Sequence, residues 1–454
     1  MKKWLCLLLL CASLRAEYVS FEEAYKQVLE GNDGLKATQS AVEKQEKLNT
    51  AAKMIYLPQI SLNAAYVRLQ EPMTANLFDS SKLSSLGNLA PQLAPLLSHL
   101  AQPITLQDQN ITFGALNIIY PIFTGGKRHF ANKLSQIALS DAKLALKLKE
   151  LSLFEDCARL YYGVVLSQQI LSTLQSASEG HYTHYQNAKK LQEKGQIARL
   201  ETLQAQVNYD KSLIDVQKAS DNLKIAQMAL GSLLNTESSA PPTLVSRIEL
   251  KHDTLMQDSD YFVHKTLELY PALHIMENKT KSAKELSHIE FSSFLPEVGL
   301  FGSYMVTDNS SLLEKSLPHW YVGVGARWSL LSPSGRLPKY QASKIASIES
   351  EYATAQAKKD LQTLCEKTYN EALSFRSQYF SLNSSIELAR EYLRLREKAF
   401  SQGMSTSAEV SDARNALSLA IIEQQSAGYN YVIALSRLFA LSGELGRFPQ
   451  FLLQ

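Results

Sequence analysis

Two long proline-free segments with helically spaced hydrophobic residues dominate the chain. No proline occurs between positions 121 and 241 or between positions 338 and 449. An interior proline costs a helix about 3 kcal/mol or more, and both segments are rich in good helix formers. We therefore predict that both are helical almost throughout. The most obvious interruption in each is a turn-like glycine, Gly195 in the first and Gly403 in the second, so each segment is predicted to be a helical hairpin.

The first helix of each hairpin is predicted to be very long. The segments from Arg128 to Lys194 and from Arg336 to Gln402 have the same length, and about 67 residues at 1.5 Å per residue reach about 100 Å. The first helix carries two seams with a spacing of seven residues, the coiled-coil pattern. These seams are Leu139, Leu146, Leu153 and Leu160, and Ile137, Leu144, Leu151, Ala158 and Val165. They lie about 200° apart around the helix, so a neighbour is expected on each side, as in a ring of helices. A buried helix in an ordinary bundle is the alternative.

The two halves of the chain repeat one another. Three pairs of residues share an offset of 208 positions: Gly195 with Gly403, Cys157 with Cys365, and Glu201 with Glu409. Upstream, residues 56–59 resemble residues 294–297 at an offset of 238. The first half therefore holds about 30 extra residues, which fit the Pro-, Ser- and Leu-rich stretch from Pro72 to Pro103 and predict a long, partly helical loop. The predicted organisation is a leader at 1–16, a first repeat at 17–240, a linker at 241–258, a second repeat at 259–443 and a tail at 444–454.

Four short segments alternate between apolar and polar residues, as β-strands do. They lie at residues 60–66, 111–119, 298–306 and 320–329. In the last, Trp320 and Trp328 face the same side, roughly 27 Å apart at about 3.3 Å per residue. This spacing suits the aromatic girdles of an outer-membrane band about 25 Å tall. A soluble sandwich strand with two incidental tryptophans is the alternative.

Four strands are too few to close a barrel in a membrane. About eight are the minimum for a spanning barrel, and open strand edges are not tolerated in lipid. The chain must therefore assemble if these strands cross a membrane. Two copies supply eight strands, and three supply twelve. Since an eight-stranded barrel is filled by its own side chains, a barrel with an aqueous lumen predicts three copies.

The N-terminus predicts export from the cytoplasm, and the charge balance argues against a nucleic-acid partner. Lys2, an apolar run over residues 4–12, and Ala16 before Glu17 form the pattern of a secretory signal, although lipid attachment at Cys11 stays open. Beyond residue 16 no apolar run approaches the roughly 18 to 20 residues of a spanning helix. Lys and Arg number 46 against 44 for Asp and Glu, a nearly neutral balance that lacks a nucleic-acid footprint.

These features resemble TolC-type outer membrane efflux proteins, also called outer membrane factors. The resemblance covers essentially the whole mature chain. Its carriers are the helix end at residues 56–58, the element Tyr-Pro-Ile-Phe-Thr-Gly-Gly at residues 120–126, the two glycine turns and the duplication. It implies a mainly α fold with a small β part, in which three chains form an α-helical tunnel through the periplasm and a twelve-stranded barrel in the outer membrane. The implied partners are outer-membrane lipid, a periplasmic adaptor protein and an inner-membrane pump.

The resemblance also implies a gate at the hairpin tips, where acidic rings face the lumen. Glu409 and Asp412 are three residues apart, hence on one helix face. In a trimer they are expected to form two rings of three carboxylates that attract cations. In the first tip, Arg199 and Glu201 are candidate latch partners. Where the family can carry a basic latch residue, the second tip has Ser and Thr at 405–406, so a particular salt-bridge latch is not implied. Solvated tip charges are the alternative.

The remaining chemistry-bearing residues favour structural roles. His181 and His184 are three apart, but without a further ligand nearby a solvated helix face is the favoured interpretation. Cys157 and Cys365 are expected to be small buried helix residues. No phosphate loop, nucleophile elbow or zinc motif occurs in the sequence. The chain is therefore predicted to be a non-enzyme without metal or cofactor.

Two other functions remain open from the sequence. A soluble periplasmic coiled-coil adaptor or scaffold explains the long helices but not the strand with its paired tryptophans. A plain diffusion porin explains the strands and predicts a wide pore that does not depend on a pump. The transported substrate and the identity of the partner pump are not encoded in any feature of the sequence.

Overall fold

The secondary structure is known for most of the chain. A computed structural model describes residues 18–100, 102–235, 243–244, 246–252, 256–307 and 318–451. The predicted leader at 1–16 lies outside the described residues. The helices are α1 (Phe21–Gly31), α2 (Asp33–Met54), α3 (Ser80–Leu89), α4 (Ala94–Leu100), α5 (Lys127–Glu193), α6 (Arg199–Leu234), α7 (Ser259–Leu269), α8 (Pro271–Ser292), α9 (Arg336–Ser401) and α10 (Ser407–Ser442). The strands are β1 (Tyr18–Val19), β2 (Gln59–Arg68), β3 (Met73–Ala75), β4 (Ile104–Gln107), β5 (Asn110–Thr124), β6 (Thr243–Leu244), β7 (Glu297–Thr307) and β8 (Trp320–Arg327).

The two long hairpins are confirmed. Helix α5 has 67 residues and α9 has 66, and each is followed by a helix of 36 residues. Residues of both predicted seams of α5 are buried: Leu153 is 2% exposed in one, and Ala158 and Val165 are 0% and 1% exposed in the other. In the described part of the chain, no helix combines the length and apolar character needed to cross a membrane.

The described residues divide into two compact units. The first comprises the described parts of residues 1–44, 140–279 and 351–454, and the second comprises residues 45–139 and 280–350. The core of the first unit is rich in aromatic rings. Phe21 of α1 lies within 5.2–5.7 Å, between ring centroids, of Phe154, Tyr161 and Phe448. The strands β1 and β6 form a short parallel pair in this unit, which the sequence pattern did not predict.

The two cysteines lie in this first unit. Cys157 and Cys365 are both 0% exposed and free. Burial raises the pKa of the Cys157 thiol to about 12 and also raises the pKa of Cys365. Because the thiolate is the reactive form, both behave as small buried helix residues, as predicted.

The sheet lies in the second unit. Its strands are antiparallel in the order β2-β5-β7-β8. Strand β5 continues past the predicted end at Ile119 to Thr124, and its register with β7 shifts between Pro121 and Phe123. A proline lacks the N–H that a ladder needs, so a shift of register here is expected. Among the described strands, none pairs with the outer edges of β2 and β8.

The duplication extends to the side chains that join helices to strands. Arg128 and Arg336 occupy matching positions near the starts of α5 and α9. Each guanidinium donates a hydrogen bond to the backbone carbonyl of the first residue after α2 or α8. It also lies over the aromatic ring of the following residue, which is a cation–π contact. The partners are Ile55 and Tyr56 for Arg128, with the ring centroid at 4.8 Å, and Ser293 and Phe294 for Arg336, with the ring centroid at 5.3 Å.

Candidate gate at the hairpin tips and candidate membrane surface

The two hairpins turn with the same backbone geometry. In each, the amides of the glycine and of the next residue donate to carbonyls three and five positions earlier. These distances are 2.8 and 2.9 Å at Gly195, and 3.0 and 2.9 Å at Gly403. The glycines have φ of +72° and +74°, a conformation that strains other residues. Among the described residues, nothing lies within 4 Å of a Cβ built at either glycine. Backbone conformation rather than crowding therefore requires glycine.

The second tip caps its own helix. Thr406 precedes α10, and its hydroxyl accepts a hydrogen bond from the Glu409 amide at 3.3 Å. The Glu409 carboxylate accepts in return from the Thr406 amide at 3.0 Å and from the Ser405 hydroxyl at 2.6 Å. Arg396 of α9 lies 3.4 Å from the same carboxylate. These contacts, with the Ser405 hydroxyl foremost, hold the pKa of Glu409 below its usual value.

The first tip lacks such a cap. Ala198 precedes α6 and offers no side-chain acceptor. Glu201, which matches Glu409, instead accepts a hydrogen bond from the backbone amide of Ser407 at 2.5 Å. Ser407 is the first residue of α10, so a carboxylate of the first hairpin satisfies an N-terminal amide of the second. Negative charge at this position also suits the helix dipole.

The other predicted gate residues make no such contact. Arg199 and Asp412 are both exposed. Within the described part of the chain, neither side chain forms a hydrogen bond or an ion pair. The structure therefore joins the two tips through Glu201 and not through Arg199. It does not decide whether Glu409 and Asp412 face a lumen, and that assignment stays a prediction.

A buried arginine joins the hairpins farther along. Arg414 of α10 forms an ion pair with Glu397 of α9, and only 13% of its side chain is exposed. Its guanidinium lies against Gly180 of α5, where a Cβ would overlap the nitrogen Nη1. Gly180 therefore makes the space that Arg414 occupies. Burial lowers the pKa of Arg414 from its usual value, and Glu397 opposes that effect.

The two histidines border this arginine, and their prediction as a solvated face is wrong. His181 is 3% exposed and His184 is 5% exposed. The Nε2 atom of His181 lies 3.2 Å from Asn415 Oδ1. The ring of His184 packs at 4.5 Å from Phe400, and its Nε2 atom is buried without a partner among the described residues. The hairpins pack this helix face away from water, which the sequence of one helix cannot reveal.

Burial also sets the charge of these histidines. It lowers the pKa of His181, with a smaller contribution from the positive charge of Arg414. Burial and then Arg414 lower the pKa of His184 to about 4. Both rings are therefore neutral at neutral pH. Two sequence signals point to this cluster. Gly180 is one, because a glycine inside a helix costs about 1 kcal/mol and often marks a close approach. The other is the position of His181, which continues the seven-residue spacing of Leu139, Leu146, Leu153 and Leu160.

The sheet presents one continuous apolar face. Its side chains are between 41% and 77% exposed: Ile60, Leu62 and Tyr66 on β2, Leu116 and Ile118 on β5, Leu300, Tyr304 and Val306 on β7, and Trp320, Val322 and Val324 on β8. The strand register places them on the same side. The opposite face carries polar residues in a row across three strands, Ser61, Asn117 and Ser303.

The two predicted girdle tryptophans lie at opposite ends of β8. Trp320 begins the strand, and Trp328 follows its last residue, Arg327. They are 63% and 61% exposed. The indole N–H of Trp328 donates to the Phe294 carbonyl at 3.0 Å. Each ring therefore presents apolar surface, and the second has a satisfied polar group.

Two long helical hairpins joined to an amphipathic four-stranded sheet define an outer-membrane channel fold. A family model described as outer membrane efflux protein matches residues 24–236 and 262–444. The chain therefore belongs to the outer membrane efflux protein family, as its resemblance implied. Proteins of this family are efflux channels of the outer membrane with a tunnel in the periplasm, and they are not enzymes.

Individual proteins agree with this assignment. The alkaline protease secretion protein AprF of Pseudomonas aeruginosa is 21% identical over 350 residues, which are 75% of this chain and 71% of AprF. The outer membrane protein VceC of Vibrio cholerae aligns with a TM-score of 0.75 and 14% identity over 94% of this chain and 96% of VceC. The open state of the MtrE outer membrane channel of Neisseria gonorrhoeae aligns with a TM-score of 0.72 and 16% identity over 94% of this chain and 89% of MtrE. The two structures show the shared fold.

Proposed function

We propose that three copies of this chain form a gated exit duct in the outer membrane that serves a tripartite efflux or secretion system. The observation that carries the proposal is the four-stranded sheet with one exposed apolar face and two unpaired edges. Each copy supplies two repeats, 17–240 and 259–443, and hence two long hairpins for a periplasmic tunnel.

The unpaired edge strands of the sheet, β2 and β8, support a trimer. In lipid, unpaired backbone groups at an edge cost several kcal/mol each. Pairing β8 of one copy with β2 of the next satisfies both edges, and three copies close a twelve-stranded barrel wide enough for an aqueous lumen. The apolar face is then turned to lipid, with Trp320 and Trp328 near the two boundaries of the membrane.

The tips support a gate at the periplasmic end. The Glu201 contact with Ser407 and the Arg414 contact with Gly180 and Glu397 both hold the hairpins of one copy together. Opening requires hairpins to move, so these contacts favour the closed state. The structure of the related MtrE channel is that of an open state, which supports a fold with more than one state. Asp412, with Glu409, is proposed to line the entrance, where an adaptor protein and an inner-membrane pump would dock.

Secretion of protein is a second candidate cargo class. The name of AprF assigns it to the secretion of an alkaline protease. A type I secretion duct and an efflux duct place the same demands on this chain, because the pump selects what enters. Deletion of the cognate pump should abolish export in both cases, whereas a plain diffusion porin would continue to conduct.

The proposal is tested by the native mass of the membrane-extracted protein in mild detergent, corrected for bound detergent. A mass near three times that of the mature chain is the expected result. A stable monomer would contradict the shared barrel and would favour a periplasmic scaffold.

A pair of neighbouring variants tests the orientation of the sheet. Leu62→Lys places a charge on the apolar face, at a cost of about 2–4 kcal/mol in the middle of a membrane. Asn63→Lys places the same charge on the opposite face of the same strand. We expect the first to reduce recovery in the outer membrane and the second to be tolerated. Equal recovery of both would contradict a lipid-facing apolar surface.

A further inference from the structure

The segment between β2 and β5, residues 69–109, carries apolar surface that an exit duct does not explain. We call this segment the outer insertion. Its helices α3 and α4 bury one large apolar side chain well, Leu83 at 9% exposure. Seven other large apolar side chains of the segment are between 46% and 65% exposed: Met73, Leu77, Phe78, Leu86, Leu93, Leu96 and Leu100. Soluble surfaces rarely leave apolar side chains in contiguous groups without a partner.

The outer insertion lies at the end of the sheet that is farther from α2 and α5. Strand β2 follows α2 and β5 leads into α5, so the helices lie at one end of this hairpin and the insertion at the other. The hairpin continues into the insertion through a hydrogen bond from the Leu69 amide to the Gln109 carbonyl at 2.7 Å and through the pairing of β3 with β4. The ladder from Gln59 to Arg68 rises about 30 Å along the strand, or about 25 Å when tilted by about 40°. It already spans the hydrocarbon, so lipid tails do not cover the insertion.

Charge also argues against lipid headgroups as the partner. Lys82 is the single Lys or Arg between positions 69 and 109, against Glu71, Asp79 and Asp108. Surfaces that bind anionic lipid carry clusters of basic residues. The surface of the outer insertion is apolar and nearly uncharged, which suits contact with copies of itself, because symmetry brings identical side chains together without repulsion.

The size of the barrel brings three such surfaces within reach. Twelve strands about 4.8 Å apart and tilted by about 40° enclose a mouth of about 12 Å radius. A helix with its side chains is about 10 Å wide. The helices α3 and α4 of each copy are therefore large enough to extend from the edge of the barrel to its three-fold axis.

We propose that the outer insertions of three copies pack against one another as an apolar cap over the outer mouth of the duct. The contact is made by Leu86 of α3, Leu96 of α4 and Leu93 between these helices. The cap rests on the proposed trimer, and its partner is the same segment of the two other copies. The cap gives the duct a second closure, at the mouth of the barrel. An apolar contact of this kind can break and form again.

Cysteine cross-linking in the full-length protein tests the cap. After the leader, the cysteines of the chain are Cys157 and Cys365, and both are buried. We expect Leu96→Cys to form disulfides between copies under mild oxidation, about ten-fold more than the control Val322→Cys, because a disulfide needs Cα atoms within about 7 Å. Leu86→Cys and Leu93→Cys provide independent positions. A trimer in which none of the three exceeds the control would overturn the cap and leave the duct intact, whereas a monomer would overturn both.

Polar variants test whether the apolar contact holds copies together. The triple variant Leu86→Asn, Leu93→Asn and Leu96→Asn should lower the temperature at which the trimer dissociates in detergent. Leu→Met at the same three positions is the matched control and should leave that temperature nearly unchanged, because Met keeps the volume and the apolar character. Equal dissociation temperatures for the Asn and Met variants would contradict the proposal.

Discussion

At the second hairpin tip, Thr406 and Glu409 cap the start of their own helix, α10. At the first tip, Glu201 does not cap its own helix α6 but binds the N-terminus of α10. Both tips have the same glycine turn and the same glutamate at the third helical position. In the second, Glu409 turns back to Thr406 and is paired with Arg396. In the first, Glu201 reaches across to the amide of Ser407.

Three matching positions differ between the tips and accompany this divergence: Ser405 against Ile197, Thr406 against Ala198, and Arg396 against Ala188. Thr406 offers its hydroxyl to α10, and the residue at the matching position, Ala198, has nothing to offer to α6. A reciprocal capping box needs both partners. Without it, Glu201 is free to bind another donor, and it connects the hairpins instead. The two tips therefore share a turn and a glutamate, but in the tip without a side-chain cap the glutamate connects the two hairpins.

The largest expected effect comes from filling the space beside Arg414. Gly180→Ala puts a methyl group where the guanidinium lies, so Arg414 must leave or α5 must move. We expect the unfolding free energy to fall by about 3 kcal/mol, measured as a lower midpoint of thermal unfolding in detergent. Gly163→Ala on the same helix is the control, because its Cβ would meet only the Tyr429 hydroxyl at 4.0 Å. Similar midpoints for the two variants would contradict the role of Gly180.

Acidification should weaken the same cluster. His184 has a pKa of about 4 in the folded protein, below its ordinary value of about 6.5. Between these pH values the unfolded chain binds more protons, so stability is present above pH 6.5 and is lost as the pH falls toward 4. The loss is at most about 3 kcal/mol for this group.

Thermal melts of the wild type and of His184→Phe across this pH range measure the effect. The aromatic replacement cannot be protonated, so its midpoint should depend less on pH. The lowered pKa of His181 acts in the same direction and remains in the variant. Parallel pH profiles for the two proteins would show that His184 does not contribute.

Breaking the link between the tips should have a moderate effect on the gate. Glu201→Ala leaves the Ser407 amide without its acceptor. A hydrogen bond to a charged group contributes about 1.5–3 kcal/mol, so the open probability of the resting channel should rise about ten-fold. Single-channel recording in a planar bilayer measures it. Glu201→Gln, which keeps an acceptor oxygen, is the control and should show a smaller rise.

A side-chain cap introduced at the start of α6 tests the difference between the two tips directly. Ala198→Thr recreates the capping box of the second tip and should stabilise the start of α6 by about 1 kcal/mol. It also competes with Ser407 for Glu201, so the helix becomes more stable while the gate becomes looser. Ala198→Val has the same shape without the hydroxyl and should do neither. A tighter gate in the Thr variant would contradict the competition.

The smallest expected effect concerns the acidic rings. Asp412→Asn should weaken block by multivalent cations more than Glu409→Gln does, because Arg396 already offsets the charge of Glu409. Titration of the block in planar bilayers compares the two variants. A larger effect at Glu409 would contradict the view that the unpaired Asp412 dominates the entrance.

The hairpins and the sheet were predictable because their signals are local. The proline-free segments, the glycine turns and the alternation around Trp320 report backbone preferences and one-sided burial that each segment carries in itself. The outer insertion was placed correctly as extra residues, but its pairing of β3 with β4 was not foreseen. Strands as short as these have too few residues for a recognisable period.

The contacts at the hairpin tips were only partly predictable. The glutamates stood out because the repeat aligned them, but their different partners depend on how two hairpins pack. The sequence predicted a solvated face for His181 and His184 because no further ligand lies nearby, although His181 continues the seven-residue spacing that runs from Leu139 to Leu160. Their burial against α9 and α10 is a property of the packed hairpins.

The sequence alone determined the long helices, the strands of the four-stranded sheet, the duplication and the family, because helix length, strand alternation and turn glycines act within short stretches of chain. Only the tertiary structure showed which carboxylate connects the two hairpin tips. It also showed that Gly180 must lack a side chain because Arg414 occupies the space beside it. It also decided that two histidines are neutral and buried. These features depend on atoms more than 200 positions apart along the chain, such as Glu201 with Ser407 and Gly180 with Arg414, brought together by packing that no local pattern records.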